Sequence, residues 1–564
     1  MKNIKKQMTR ELFEKKIFLV LMFLLTVFTS FMYFFVRFSI DANLGWLNEL
    51  SSLNENQSAY KNGLMSNVSL AEDMLFGFLA LTGFVFAFVF VRFYREHRTQ
   101  IGTLKALGFT GRNINSVFWK ISFVLALAGG VTGFIGGYFA SDILLDANRQ
   151  TYQIDGIVKG ISLASVCRGI FVPSLVLALI TAASWLVIGK QDAGTLMTGS
   201  KKEDDTKMLW LADKISGVFP HRMQLPMRLA LRNPLAAGLI IVSVMVVSVM
   251  FLLGFSLNKS SETVKESQLT GHYYNYEKEF DSVRQGEKED QSVRYLKAGV
   301  TLKDHKKTVD WKLVGMDEDA LVYELLDKDG LEIPYPKERE IVIGKQLEEV
   351  YGFHLGDEIL VSGERGSSTF RVSGVAFNAT TGSAYVSLGT MQEILGVSDD
   401  SYNGILSLNG EKDGTGITRE EKLDVLERDT VSNRVSAVIV QVMGCVIGCM
   451  LLFLALLINF QSATEDMHIL KLLGYQKKEI HKMLIDIYKP MIVLSFFLTL
   501  FPSVCIVKAI LRGLSRQIGD YMMFQTHIGV WALIGVVLFA IYFLVQMSFG
   551  IGLSCTCRKN RGVL

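Results

Sequence analysis

The stretch RTQIGTLKALGFTGRNI, residues 98–114, decides how this chain is read, because a relative of it returns 366 positions later as TEDMHILKLLGYQKKEI, residues 464–480. Leu104, Lys105, Leu107, Gly108 and Ile114 recur as Leu470, Lys471, Leu473, Gly474 and Ile480, while Phe109 is matched by Tyr475 and Arg112 by Lys478. Ile101, Leu104 and Leu107 are spaced three apart, which lays an apolar stripe along a short helix, and Met467, Leu470 and Leu473 match it. Gly108 and Gly474 follow where a helix ends in a left-handed residue, a conformation open to glycine at no steric cost. Basic residues come next, then an apolar run. Each copy therefore predicts a short helix along a membrane surface, joined to a span on either side.

Composition makes those runs membrane spans. Half of the 564 residues are hydrophobic, 20% are charged, and the mean hydropathy is +0.31, well to the apolar side of soluble chains. Crossing a hydrocarbon core of about 30 Å takes about 20 mostly apolar residues. Runs of that kind lie at 17–36, 74–91, 121–141, 169–189, 235–258, 435–464, 490–507 and 528–552. The first is too long and too aromatic for a signal peptide, and no small-residue cleavage site follows it. Loops rich in Lys and Arg, among them Arg92, Arg95, Lys105, Lys201, Lys202, Lys477, Lys478 and Arg558, all fall on one side if the eight spans alternate. That side is expected to be the cytoplasm of a bacterial cell membrane, with both termini and both copies of the motif on it.

On the other side stand a short insert at 38–73 and a long segment, 259–433, which holds 21 Lys+Arg against 34 Asp+Glu, a net charge of −13. Runs rich in Val, Ile, Phe and Thr at 340–344, 358–361, 368–375 and 383–388 predict strands. Helical character at 345–351 and 390–395 makes the segment an α+β domain. None of the six cysteines falls within it, so no disulfide framework holds it together. His272, His305 and His354 are far apart and read as surface or structural residues rather than metal ligands.

The expected fold class is thus an α-helical polytopic membrane protein of eight transmembrane helices in two parallel 1+3 repeats, with one α+β extracytoplasmic domain. An amphipathic stretch at 1–16 precedes the first span at 17–37. The insert at 38–73 leads into three spans over 74–190, a cytoplasmic linker over 191–234 and the fifth span at 235–258. The acidic domain over 259–433 precedes three further spans over 434–564. Parallel repeats of this kind imply a pseudo-two-fold axis along the membrane normal. Gly129, Gly133 and Gly137 in the third span, and Gly444 and Gly448 in the sixth, recur every four residues, a spacing that lets helices approach closely.

On the strength of the duplicated motif the chain resembles the FtsX-like permeases of ABC transporters, the group that includes MacB-type and lipoprotein-releasing permeases. The family pattern R-x-x-E-I-G-x-L-[KR]-A-L-G-[AF]-[ST]-x-x-x-I is met by residues 98–114, with Gln100 at the usual Glu. In the looser second copy Asp466 holds the acidic position, and Met467 and His468 replace Ile-Gly. EIVIGKQLEEVYGFHLGDEILV, residues 340–361, is similar to the extracytoplasmic domain of such permeases. The resemblance implies FtsX-like domains at 74–190 and 434–564, whose coupling helices, about 98–108 and 464–474, dock on a separate ABC-type ATPase, a dimer. It assigns that coupling to Gln100, Ile101, Gly102, Leu104, Lys105, Leu107 and Gly108, and to Asp466, Met467, Leu470, Lys471, Leu473 and Gly474. With Gln100 and His468 departing from the pattern, docking is expected through Leu104, Leu107, Leu470 and Leu473.

Catalytic signatures are missing: there is no G-x-x-x-x-G-K-[ST], no H-E-x-x-H and no G-x-S-x-G. The chain is expected to be no enzyme and to bind no cofactor or metal itself, ATP and Mg acting through the partner ATPase. No nucleic-acid partner is implied; membrane lipid and an extracytoplasmic protein are. Two functions fit: export or extraction of an amphiphile such as a lipid, antimicrobial peptide or drug, or a mechanical relay to a cell-wall hydrolase or sensor kinase without transport. A receptor independent of any ATPase would leave the duplicated motif without a purpose.

Overall fold

A computed structural model describes residues 10, 12–13, 16–51, 55–154, 156–198, 234–286, 291–304, 307–318, 322–363, 366–409, 416–462, 488–518 and 521–559. His305, most of the 191–234 linker and the second motif, with Asp466, Met467, Leu470, Lys471, Leu473 and Gly474, lie outside the described residues. The helices are α1 (Lys16–Arg37), α2 (Asp41–Glu49), α3 (Glu55–Glu96), α4 (Arg98–Ala106), α5 (Gly111–Ala140), α6 (Asp142–Tyr152), α7 (Leu163–Val166), α8 (Val172–Ser184), α9 (Leu186–Gly189), α10 (Ala193–Thr198), α11 (Pro234–Ser267), α12 (Leu388–Leu395), α13 (Arg419–Ser462), α14 (Lys489–Ile518) and α15 (Ile528–Lys559). Eight helical stretches among the described residues are long and apolar enough to cross a membrane, beginning at Lys16, Gly63, Gly111, Leu163, Ala236, Arg434, Lys489 and Ile528. The chain divides into two compact units, one of Met1–Leu252, Ile439–Ile506 and His527–Leu564, the other of Leu253–Val438 and Val507–Thr526.

In the first unit the glycine stripe of α5 lies on α1. A Cβ built on Gly133 would come 2.5 Å from the Val27 carbonyl oxygen and 2.7 Å from the Phe31 nitrogen, and one on Gly137 would come 2.9 Å from the Phe35 nitrogen. A Cβ on Gly129 would approach Thr26 to 2.9 Å. In lipid there is no water to drive helices together, so close backbone approach and interhelical hydrogen bonds do that work. Thr29 and Thr82 share a hydroxyl–hydroxyl bond of 2.9 Å between α1 and α3, and Thr181 donates to Ser122 at 2.9 Å between α8 and α5. The fourth span contains a π-helical turn, Cys167–Phe171, and the Ser30 hydroxyl donates to the Gly169 carbonyl inside it at 2.9 Å. In the later spans, Gly444 and Gly448 of α13 face Met250 and Val247 of α11, and Ser243 donates to the Gly448 carbonyl at 2.9 Å. The two glycine series thus serve different helix pairs.

Away from the motif, charged groups tie the ends of three spans together. Arg37, nearly buried, lies 3.5 Å from Asp41 and 3.7 Å from Glu72, and Arg168 meets Glu72 at 2.6 Å. Asp41 also accepts from the amide and hydroxyl of Ser162.

The second unit is built on a nine-stranded sheet. Its strands are β1 (Tyr276–Gln285), β2 (Ser292–Asp304), β3 (Lys307–Met316), β4 (Glu340–Gly344), β5 (Glu358–Ser362), β6 (Ser367–Ala376), β7 (Ser383–Ser387), β8 (Ser401–Ser407) and β9 (Ile417–Thr418). The order is β3-β7-β4-β6-β5-β2-β8-β1-β9, and β3 also pairs with β2, which closes the first six strands into a ring. Four of the strands match the runs expected from sequence. The others, β1 to β3, β8 and β9, escaped it because polar residues stand at many of their positions. Strand β4, EIVIG, is apolar after Glu340 because both of its faces are covered: Ile341 and Ile343 enter one core with Leu313, Phe370 and Val386, and Val342 enters a second with Val314 and Tyr385. Successive side chains of a strand point to opposite faces, so two cores claim alternate residues.

The second core is rich in groups that need partners. Asn378, 1% exposed, donates to the Thr270 and Glu324 carbonyls at 2.9 and 2.7 Å and accepts from the Leu326 amide at 2.8 Å. Its own carbonyl pairs with Nε2 of His272 at 2.9 Å. Burial, with Lys422 and Arg419 nearby, lowers the His272 pKa to about 3, so it stays neutral in the fold. The unfolded histidine takes a proton near pH 6.5. The resulting stabilisation is complete above that pH and fades as pH falls from about 6.5 toward 3, reaching a loss of about 2 kcal/mol by pH 5. Hydrogen exchange of the β-strands across pH 5 to 7 should show this slope, and His272→Gln should flatten it; an unchanged slope in the variant would assign the pH dependence to other groups.

Candidate functional site

Only His97 separates α3 from α4, and four residues separate α4 from α5. At the end of α4, Gly108 takes φ +89°, its amide donates to the Lys105 carbonyl at 2.9 Å, and the Phe109 amide donates to the Leu104 carbonyl at 3.1 Å. Those two bonds form a Schellman cap, which satisfies carbonyls the helix end would otherwise leave open. Thr110 then caps α5, accepting from the Asn113 amide at 3.4 Å. Thus Leu-Gly-Phe-Thr stops one helix and starts the next in four residues, holding α4 at a set angle to the third span.

The apolar stripe expected on α4 does not face outward as a whole. Ile101 and Leu104 are buried, while Leu107 is 67% exposed. Beside the stripe lies α10, which the sequence did not reveal and which packs along α4. Gly102 marks the closest approach, since a Cβ there would lie 2.9 Å from Met197 Cγ, 3.0 Å from Leu196 Cβ and 3.1 Å from the Ala193 carbonyl oxygen. Leu104, expected to dock a partner, is therefore spent inside the chain. The outward face of α4 carries Thr99, Gln100, Thr103, Ala106 and Leu107, and Met197 is exposed beside it.

Lys105 also turns inward. Its ammonium donates to the carbonyls of Gly189 and Gln191 at 2.9 and 2.7 Å, and it stands 5.9 Å from the centre of the Trp185 ring. Trp185, between α8 and α9, meets Tyr94 of α3 edge to face at 5.3 Å, and a Cβ on Gly111 of α5 would come 3.2 Å from its indole nitrogen. One ring thus joins the second, third and fourth spans below α4. Beside this hub Arg92 forms an ion pair with Glu96 at 2.6 Å and donates to the Ile458 carbonyl at 3.2 Å. Ile458 stands 366 positions after Arg92, the repeat spacing itself, so the spans that precede the two copies meet at equivalent positions.

A short helix clamped between membrane helices, in a chain with a separate α+β domain, defines a polytopic membrane protein whose motif is anchored on several spans at once. Residues 74–193 match the family model described as FtsX-like permease C-terminal. That match contains α4, Trp185 and the glycine stripe of α5, and it ends at the first residue of α10. No curated protein matches the sequence. Among solved structures, the extracellular domain of YknZ, a noncanonic ABC-type transporter from Gram-positive bacteria, is similar at 17% identity with a TM-score of 0.20, covering 25% of this chain and 84% of that one.

Proposed function

We propose that this chain is the membrane subunit of an ABC transporter, and that α4 is the element on which a separate ATPase acts from the cytoplasm. The observation that carries this reading is the seating of α4: its backbone is capped, its inner face is packed, and Leu107 projects outward at 67% exposure. An exposed leucine on a rigid helix suits an apolar groove on a partner. The FtsX-like match over the same residues supports it. By the pseudo-symmetry of the sequence, Leu473 would present a second such point to the second subunit of an ATPase dimer. ATP and Mg would be held by that partner. The stroke would drive extraction or export of an amphiphile through movement of the spans and the extracytoplasmic domain.

A second reading, a relay to an extracytoplasmic protein without transport, draws support from helix length. The 44 residues of α13 span about 66 Å at the rise of an α-helix, twice the depth of a bilayer core. A helix that long is suited to carrying motion beyond the membrane.

Co-purification from native membranes tests the proposal. Wild type should bring an ABC-type ATPase with it, and Leu107→Glu, which places a charge on the docking point while sparing the buried face, should weaken that capture by more than about tenfold. Capture indifferent to Leu107→Glu would remove α4 from the interface.

A further inference from the structure

We infer that Lys105 is a positioning residue that delivers movement of α4 to the fourth span, and is not a cation offered to the partner. This rests on the reading of α4 as the ATPase-driven element. The chain itself connects α4 to the second span through His97 and to the third through the Schellman turn. The fourth span is not joined directly to α4 along the chain; its end lies 84 and 86 residues away at the two carbonyls that Lys105 holds. Those carbonyls are at and just beyond the C-terminus of α9, where a helix leaves carbonyls without internal partners and the helix dipole favours a cation. An ammonium has three donors and no acceptor, so it can bridge both carbonyls and still rest near the Trp185 ring.

A second contact works with it. The Gly102 crossing holds α10, which follows the fourth span directly, against the inner face of α4. Lys105 and Gly102 therefore grip the end of the fourth span and its continuation from one helix. With both in place α4, α9 and α10 move as a body; with either lost, α4 would swing on its covalent ends and leave the fourth span behind. Docking and transmission are thereby placed on different residues of the same short helix, Leu107 outward and Lys105 with Gly102 inward.

The test reconstitutes the full chain in liposomes with the ATPase that co-purifies with it. It measures separately the affinity of the pair and the permease-stimulated rate of ATP hydrolysis. Lys105→Met is expected to keep affinity within about twofold while lowering stimulated turnover about tenfold, as for loss of a coupling free energy between sites. Lys105→Arg, which can still reach two carbonyls, should recover most of that loss. Gly102→Val should repeat the Lys105→Met result by forcing α10 away. Loss of affinity in Lys105→Met comparable to that in Leu107→Glu would make Lys105 a docking residue and overturn the inference, as would normal turnover in Lys105→Met. Failure of the wild type to capture any ATPase would instead bring down the functional reading and this inference with it. Amine-acylation footprinting of wild-type membranes checks the contact by itself: Lys105 should react several-fold more slowly than the exposed Lys190, and equal rates would overturn the bridge.

Discussion

Gly133→Val is expected to prevent the first repeat from assembling, at a cost of about 3 kcal/mol, the upper end for overpacking. The valine Cβ would sit 2.5 Å from the Val27 carbonyl oxygen and 2.7 Å from the Phe31 nitrogen, both backbone atoms of α1. Backbone cannot rotate out of the way, so α1 and α5 would have to separate along their contact, and Gly129 and Gly137 would lose their close approach as well. The control is Gly136→Val on the same helix, where the nearest atom is a ring carbon of Phe31 at 3.1 Å, and a side chain can give way. Thermal unfolding of the detergent-purified full chain should show a large loss for Gly133→Val and a small one for Gly136→Val. Equal losses would mean that glycine is needed there for a reason other than the α1 contact.

Asn378→Leu should cost the α+β domain roughly 4 kcal/mol. Leucine fills similar space but leaves the Thr270 and Glu324 carbonyls and the Leu326 amide without the partner Asn378 supplies. A buried polar group left unpaired costs about 1–3 kcal/mol, and three of them share one site. The effect should be local: exchange protection should fall around residues 270–275 and 322–326 and remain unchanged in the spans. A variant within about 1 kcal/mol of wild type, small by the standard of buried polar losses, would show that water can replace the amide there.

The candidate site was legible in part. The Leu-Gly-Phe-Thr turn could be read because helix stop and start signals act over a few residues, and Gly108 takes the left-handed φ of +89° that its position called for. Strand β4 was legible because two cores cover its two faces and leave four buried residues in a row, Ile341 to Gly344. Strand β1, YEKEFDSVRQ, was not, since most of its residues are exposed and little in its composition distinguishes it from a loop. Trp185 and α10 were passed over because their importance lies in what they touch.

By itself, the sequence determined the number of spans, the place of the α+β domain between the fifth and sixth, and the repeat of the helix–glycine–aromatic–basic element. Those properties follow from hydropathy over about twenty residues and from caps within a single turn, so neighbours along the chain suffice. Tertiary structure alone decided which side of α4 is free, that Leu104 is covered while Leu107 is not, and that Lys105 reaches carbonyls 84 and 86 residues away. It likewise placed Gly133 against the backbone of α1 and made Asn378 the centre of a core. Each of these depends on a contact between segments far apart in the chain, and such contacts exist only once the helices and strands have packed.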